Sequence, residues 1–393
     1  MNQKQQINEL FIVRALAILG VIMVHATSYA TVELATSSSL YPLYNFLNRF
    51  FAFGTATFIF LSAFVLFYSY YNRILDKQLL RSFYLNRLKY IVLPYVIFSL
   101  IYYVVVVFPL SPDNNSFSGL SRDFLLKLAT GKAYDHLYFI FVLIQFDLLF
   151  PFLLRLFQKK KGLVKHGLWI GFAIQWTFVF LNSYYFRITV GTGSIALSYM
   201  SYYFLGAFAG VYYPQFVSWF KGWKNCLLVS LWLLFGCLYV WIYYVMRVEN
   251  IYYNAKWYTL FWNLYTNMAA LVLLLLSFWL YKRFPAWLIN GLIRLGASSF
   301  GIYLFHMLVL RFYRKFDFSG IPWLYHISVP GAFFGALLIS WIVVVIVNRY
   351  FPWAWMIFGR SPKHLPLKYN GSPYNSRRIT EKRQSIKHKT TPY

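Results

Sequence analysis

Long apolar runs separated by short polar stretches are the main pattern along this chain. An α-helix needs about 20 apolar residues to cross the roughly 30 Å hydrocarbon core of a bilayer. Ten runs approach that length: residues 10–30, 47–71, 91–110, 136–157, 167–186, 198–218, 226–246, 259–281, 297–313 and 328–350. The pattern therefore predicts an all-α integral membrane protein with about ten transmembrane helices.

Basic residues are unevenly divided between the two sets of loops. An even number of spans puts both termini on one side, and that side carries 25 of the 37 Lys and Arg residues. The opposite side carries nine, and three fall within spans. Because Lys and Arg accumulate in cytoplasmic loops, both termini are expected to be cytoplasmic in a multi-pass protein of the cell membrane.

Composition excludes several classes of protein. The chain is 60% hydrophobic and only 12% charged, whereas a soluble domain is about a quarter charged. A net charge of +27 is common in nucleic-acid binders, but these charges lie in loops beside anionic lipid, so we expect lipid and no nucleic acid as partner. Cys226 and Cys237 share one apolar run, so neither a disulfide framework nor a metal site is expected.

The composition changes near the C-terminus. Residues 1–360 form the predicted polytopic membrane domain. Residues 361–393 hold eight Lys and Arg residues against a single acidic residue, Glu381, and show no apolar period. This segment is predicted to be a disordered, basic cytoplasmic tail that lies on anionic lipid.

Arg14 and His25 lie inside the first apolar run, where an ionisable side chain is costly and therefore needs a reason. Their spacing of eleven residues is three helical turns plus about 20°, which puts both on one stripe, about 16 Å apart along the axis. Arginine grips phosphate through two parallel hydrogen bonds, and histidine exchanges protons near neutral pH. A snorkelling arginine with a packed histidine explains the same spacing.

The pair Arg14 to His25, RALAILGVIMVH, resembles the Arg-x10-His signature of the transmembrane acyltransferase family (acyltransferase type 3). Four further segments resemble that family's pattern in the same order: FIFLSAF (Phe58–Phe64), FYLNRLKYIVLPY (Phe83–Tyr95), HLYFIFVLIQFDLLFP (His136–Pro151) and SFGIYLFH (Ser299–His306). The resemblance covers about residues 7–350. It implies a membrane-embedded enzyme that transfers acyl groups.

One branch of the family is particularly similar, that of the intercellular-adhesin O-acyltransferases, through YYFLGAFAG (Tyr202–Gly210). Two positions depart from the family pattern. Ala63 stands where the family has glycine, and this difference is expected to affect how closely two helices pack rather than the chemistry. Of the family's Arg-x-x-Arg pair, Arg87 matches one member, Tyr90 occupies the other position, and Lys89 supplies a neighbouring charge without the planar fork.

The resemblance implies that an acyl group leaves a cytoplasmic acyl-coenzyme A, with acetyl and succinyl both open, and reaches a hydroxyl of an extracytoplasmic or lipid-linked glycan. Arg14, Arg87 and Lys89 are then the candidates for binding the coenzyme A phosphates. His25 is the candidate catalytic residue, either as general base or as a transient acyl carrier. Acyl-coenzyme A enters as a co-substrate, and no bound cofactor or metal is expected.

Three more polar residues are candidates for the site. His136 is expected at the outer end of the fourth span, where interfacial solvation also explains it. His306 lies in the ninth span, as either a structural hydrogen-bonding residue or a wall of the substrate path. Asp147 lies mid-span and is expected to be protonated or paired, with Arg14 as one partner.

Two other functions fit the same composition. The first is a polysaccharide exporter or flippase, which would use a polytopic membrane domain without acyl-transfer chemistry. The absence of a detectable inverted repeat in the sequence, of the kind that many transporters show, argues against it. The second function is that of a membrane sensor whose tail binds a cytoplasmic partner. Acyl transfer that depends on His25 distinguishes the enzyme from both.

Overall fold

The computed structural model describes residues 7–107, 109, 116–189, 191–316, 318, 321–362, 365 and 367–368. Within these residues all regular structure is helical. The helices are α1 (Glu9–Thr27), α2 (Ala30–Glu33), α3 (Tyr41–Phe50), α4 (Gly54–Tyr70), α5 (Lys77–Arg87), α6 (Leu93–Tyr102), α7 (Phe117–Thr130), α8 (Tyr138–Lys159), α9 (Lys161–Lys165), α10 (Gly167–Leu181), α11 (Met200–Val211), α12 (Tyr213–Trp219), α13 (Trp223–Val248), α14 (Ala255–Arg283), α15 (Ala286–Tyr313), α16 (Pro322–Tyr350) and α17 (Ala354–Phe358).

Eight helical segments of the described chain have the length and hydropathy to cross a membrane: Glu9–Glu33, Tyr41–Tyr70, Lys77–Val106, Tyr138–Lys159, Trp223–Val248, Ala255–Arg283, Ala286–Tyr313 and Trp323–Tyr350. This confirms an all-α integral membrane protein. The two remaining predicted spans contain shorter helices, α10 of 15 residues and α11 of 12 residues. The total of ten spans and the side of the termini remain predictions.

Helix α1 lies at the centre of the bundle. It packs against α15, α4, α14, α16 and α3, and most of its residues are buried. The contact with α15 is close because Gly296 has no side chain: a Cβ there would overlap the backbone carbonyl of Phe11. Small residues at helix contacts are a common way to bring backbones together in membranes. Arg14 and His25 are therefore carried on the innermost helix.

A buried hydrogen-bond network joins α10, α11 and α14. The Gln175 amide donates to Asn263 Oδ1 (2.9 Å), the Tyr202 hydroxyl donates to the same oxygen (2.8 Å), and the Thr266 hydroxyl donates to Tyr202 (2.8 Å). Such interhelical bonds in membrane proteins contribute about 0.6 kcal/mol each on average. The network fixes the register of the three helices without occupying the centre of the bundle.

The first residues of the predicted tail contact the helical body. The Lys368 ammonium donates to the carbonyls of Tyr281 (2.6 Å) and Phe284 (2.8 Å), and the backbone of Lys368 exchanges two hydrogen bonds with the Asn290 side chain. Leu367 packs beside them. Of the predicted disordered segment, residues 363, 364, 366 and 369–393 lie outside the described residues.

Candidate active site

Arg14 and His25 lie on one continuous helix, α1, as their spacing predicts. They face two different surroundings. Arg14, in the second turn of α1, lines an internal cavity of about 300 Å³. His25, three turns further on, lies against His306, which in turn lies against His136. The helix thus links a cationic cavity to a group of imidazole rings.

Three histidines from distant parts of the chain form a histidine cluster, made of His25, His136 and His306. The ring centroids of His25 and His306 are 5.3 Å apart, and those of His136 and His306 are 5.4 Å apart. His136 precedes α8 and His306 lies on α15. Within the described part of the chain no group of three or more His, Cys, Asp or Glu side chains is arranged to hold a metal. The sequence identified all three histidines but did not indicate that they meet.

Hydrogen bonding fixes the state of one ring. His306 Nδ1 lies 2.7 Å from the Tyr303 carbonyl oxygen and 3.1 Å from that of Ile302. A carbonyl only accepts, so Nδ1 carries the hydrogen and Nε2 has a free lone pair. Nε2 is buried without a hydrogen-bond partner among the described residues, as are both ring nitrogens of His136. Buried polar atoms are rarely left unpaired, so these nitrogens are available to a substrate or a proton.

Tyrosines enclose His136, which is only 1% exposed. Its ring packs edge-on against Tyr102 and Tyr134, which stack on each other with centroids 4.5 Å apart. The Tyr303 hydroxyl donates to the His136 backbone carbonyl. Interfacial solvation, the ordinary explanation offered by the sequence, therefore does not account for His136.

The cavity lined by Arg14 also contains two more guanidinium groups, those of Arg87 and Arg360, and we call it the arginine cavity. Among the described residues that line it there is no carboxylate. It lies at the end of the bundle where α1 begins and α16 ends, which we call the terminal end. A cavity with this lining favours an anion.

Asp147, on α8, pairs with Arg87 rather than with Arg14, which was the one partner named from the sequence. Arg87 Nε lies 3.2 Å from Asp147 Oδ1, and the Asp147 side chain is 7% exposed. The guanidinium of Arg14 lies over the Phe11 ring at 5.6 Å, with no ion pair in the described structure. Asp147 therefore fixes Arg87, while the charge of Arg14 remains uncompensated.

The sequence suggests Lys89 rather than Arg360 as a cavity residue, and the structure shows the reverse. Lys89 is exposed and does not line the arginine cavity. Arg360 does line it, although the sequence marks it only as a cation beyond the last span. The signal in the sequence was that Tyr90 replaces the second arginine of the family pattern, which leaves a charge to be supplied from elsewhere. In the structure the guanidinium of Arg360 lies over the Tyr90 ring at 6.0 Å.

Three packed aromatic rings line the arginine cavity on the side of the histidine cluster, and we call them the aromatic barrier. Phe58, Phe139 and Tyr303 line the cavity, and their centroids are 5.1–6.5 Å apart. The Tyr303 ring is also 5.4 Å from His136 and 5.7 Å from His306. Tyr303 therefore belongs to both compartments.

A second pocket of about 180 Å³ lies on the other side of the histidine cluster, and we call it the outer pocket. Its lining includes Ala26, Glu33 and Arg314, together with several aromatic rings. Arg314 donates to the His25 carbonyl (2.5 Å) and to the Ser28 hydroxyl (3.0 Å). Its guanidinium also covers Tyr29 at 3.7 Å. This pocket offers aromatic faces and charges of both signs directly beside His25.

Comparison with known proteins gives one family and one group of relatives. A family model described as an acyltransferase domain matches residues 7–345. A probable poly-beta-1,6-N-acetyl-D-glucosamine export protein of Staphylococcus aureus (strain MSSA476) is 25% identical over 316 residues, 77% of this chain and 82% of the relative. The protein of the same description from Staphylococcus epidermidis is 26% identical over 318 residues, 77% of this chain and 81% of the relative. No solved structure matches the chain.

Proposed function

The chain belongs to the acyltransferase domain family, and from that membership we propose that it moves an acyl group from acyl-coenzyme A to a hydroxyl of a cell-surface or lipid-linked glycan. It is a multi-pass membrane protein of the acyltransferase class. The observation that carries the finer proposal is the position of the histidine cluster, between a cationic cavity at the terminal end and an aromatic pocket beyond it.

The donor end of the proposal depends on charge. Coenzyme A carries a diphosphate and a 3′-phosphate at one end of a long, narrow arm whose other end is the thioester. Arg14 and Arg87 present guanidinium forks that match phosphate oxygens, and the cavity volume of about 300 Å³ suits the arm rather than the whole nucleotide. Acetyl and succinyl remain equal alternatives as the acyl group.

The transfer step needs a proton acceptor at the acceptor hydroxyl. His25 takes that proton as the hydroxyl oxygen attacks the thioester carbonyl, the carbon–sulfur bond breaks, and the departing thiolate takes the proton back from the imidazolium. In the second route a His25 nitrogen attacks the thioester carbonyl, the carbon–sulfur bond breaks, and coenzyme A leaves as the thiol with the proton of the other ring nitrogen. The hydroxyl oxygen then attacks the acyl-imidazole, and its proton returns to the His25 ring as the carbon–nitrogen bond breaks. His306 lies against His25 in either route. For thioester and hydroxyl to meet, the rings of the aromatic barrier must move.

The acceptor end of the proposal depends on the outer pocket. Aromatic rings with Glu33 and Arg314 offer stacking faces and hydrogen-bonding groups to a sugar. The relatives are described as probable exporters of a poly-N-acetylglucosamine, so we propose a polysaccharide or its lipid-linked precursor as acceptor for this chain as well.

The test is transfer of radiolabelled acetyl or succinyl from coenzyme A to membrane-associated glycan. We expect His25→Ala membranes to lose label by at least about a hundredfold, the usual effect of removing a general base. The matched control is His166→Ala, since His166 is exposed at a helix junction and should leave transfer unchanged. Wild-type label that persists in His25→Ala contradicts the mechanism, and absence of label from wild type with both donors contradicts the function.

Export without chemistry is the second candidate, and the names of the relatives favour it. An exporter has no use for unpaired imidazole nitrogens in its centre or for a carboxylate-free cavity at one end. In this case the His25→Ala protein still moves glycan across the membrane, and wild type transfers no label. Measuring surface glycan in the same cells as acyl transfer separates the two functions.

A further inference from the structure

The arginine cavity contains one guanidinium that the family resemblance does not assign, that of Arg360. It follows α17, the short helix after α16, and lines the cavity together with Arg14 and Arg87. Arg360 is exposed, whereas Arg14 and Arg87 are half-buried. The three charges therefore run from the mouth inwards, with Arg360 at the mouth.

Specific packing holds Arg360 at this place. The Trp355 ring packs edge-on against Tyr90 at 5.8 Å, and Phe358 lies 6.0 Å from Phe98. Gly359 has φ +70°, and a Cβ there would lie 2.7 Å from the Tyr90 carbonyl oxygen. A larger residue at 359 would be strained and would push the segment away from Tyr90.

The segment is fixed on its other side as well. The Ser361 hydroxyl donates to the Asn348 side chain at 2.8 Å. Arg360 is thus held between two anchored neighbours, Gly359 against Tyr90 and Ser361 against α16. Its guanidinium lies over the Tyr90 ring, a face on which arginine stacks while its N–H groups remain free for a ligand.

We propose that Arg360 is a third donor-binding residue, which holds the 3′-phosphate of acyl-coenzyme A at the mouth of the arginine cavity. This rests on the proposed function, because it takes acyl-coenzyme A as the donor. The order of groups along the donor carries the assignment. The thioester must reach the aromatic barrier near Tyr303, so the diphosphate lies further out, near Arg14 and Arg87. The 3′-phosphate, at the end remote from the thioester, then lies at the mouth beside Arg360.

Tyr90 gains a role from this arrangement. It occupies the position where the family pattern has a second arginine, so the chain lacks a guanidinium at that position. The aromatic ring instead supports the guanidinium of Arg360, which comes from a segment 270 positions later in the chain. The charge needed at the mouth is supplied by the segment that follows α17.

The test compares binding of coenzyme A and of dephospho-coenzyme A, which lacks only the 3′-phosphate, to purified protein in lipid nanodiscs by calorimetry. We expect wild type to bind coenzyme A about tenfold more tightly, the lower end of the range for a charge-assisted contact at an exposed arginine. Arg360→Ala should bind both ligands equally, at the wild-type affinity for dephospho-coenzyme A. Arg360→Lys should keep part of the preference, since it keeps the charge without the fork.

The matched control is Arg349→Ala, which removes an exposed arginine at the end of α16 that does not line the cavity. It should keep the full preference for coenzyme A. An Arg360→Ala protein that still prefers coenzyme A, or a wild type that binds both ligands equally, overturns the role of Arg360 and leaves the proposed function standing. A wild type that binds neither ligand overturns both.

Discussion

The ion pair between Arg87 and Asp147 determines how much positive charge the arginine cavity presents. Asp147 is nearly buried and its Oδ1 lies 3.2 Å from Arg87 Nε, and the Arg87 side chain also lines the arginine cavity. Removing one partner of a buried ion pair strongly destabilises the folded protein, because the other charge is left uncompensated. We therefore expect Asp147 to act on the proposed donor through Arg87, as a positioning residue.

Replacing Asp147 tests this role. Asp147→Asn keeps a polar side chain of the same size beside Arg87, so we expect the KM for acyl-coenzyme A to stay within about threefold of wild type. Asp147→Leu removes the polar partner and releases Arg87, so we expect KM to rise about tenfold with kcat little changed, because Arg87 is no longer held by its ion pair at the cavity. The measurement is initial-rate kinetics of acyl transfer.

Equal KM values for the Asn and Leu variants would contradict positioning through Arg87. A fall in kcat without a change in KM would place Asp147 in the chemical step instead. Membrane abundance of each variant, measured by immunoblot, separates these outcomes from loss of protein.

What the sequence predicted at this scale depended on local spacing. Arg14 and His25 were identifiable because eleven residues on one helix define a common face. The meeting of His25, His136 and His306 was not predictable, because it depends on how α1, α8 and α15 pack. The same holds for Arg360, which becomes a cavity residue only when the segment after α16 folds back on Tyr90.

Among the helices, α11 and α4 are in close backbone contact at a glycine that substitution can probe. Gly206 lies against the Phe60 carbonyl, and a Cβ at 206 would lie 3.0 Å from the Cβ of Ala63. Ala63 is fully buried and stands where the family pattern has glycine. The absence of a side chain at Gly206 leaves the room that the alanine needs.

Gly206→Ala should therefore destabilise the protein by about 1–3 kcal/mol, the usual cost of inserting a methyl group into a filled contact. Gly291→Ala is the matched control, because Gly291 is also helical and a Cβ there meets nothing within 4 Å. The control should be neutral or slightly stabilised, since alanine favours helix over glycine. Thermal unfolding in detergent gives the comparison.

A Gly206→Ala protein that unfolds at the wild-type temperature would mean that α11 and α4 shift apart at little cost. In that case the replacement of glycine by Ala63 needs no compensation from the facing helix. Equal destabilisation of both variants would instead point to a general effect of the substitution.

The helices themselves were largely predictable, because hydropathy reports composition over about 20 residues. Eight predicted spans coincide with long apolar helices. Hydropathy does not report where backbone hydrogen bonding changes. Residues 167–186 pass from α10 into a π-helical turn at Asn182, and residues 198–218 are divided between a 3₁₀ turn, α11 and α12. These breaks account for the two shorter helices.

For the whole molecule, the excess of Lys and Arg on the terminal side predicts the orientation in the membrane. Single cysteines introduced in a Cys226→Ser, Cys237→Ser background test it. We expect Arg122→Cys to react with a membrane-impermeant maleimide in intact cells, and Lys161→Cys to react only after permeabilisation. Both native positions are exposed. The opposite labelling pattern would invert the orientation and place the arginine cavity outside the cytoplasm.

The aromatic barrier has a consequence for the energy balance of the cell. Moving one elementary charge through a membrane potential of 100 mV corresponds to about 2.3 kcal/mol, so an open aqueous path would discharge the gradient that the membrane maintains. Because Phe58, Phe139 and Tyr303 pack between the two chambers, we expect the resting protein to oppose the passage of ions. Under the proposed function, an acetyl group would cross this barrier without moving charge, whereas a succinyl group would carry its carboxylate with it.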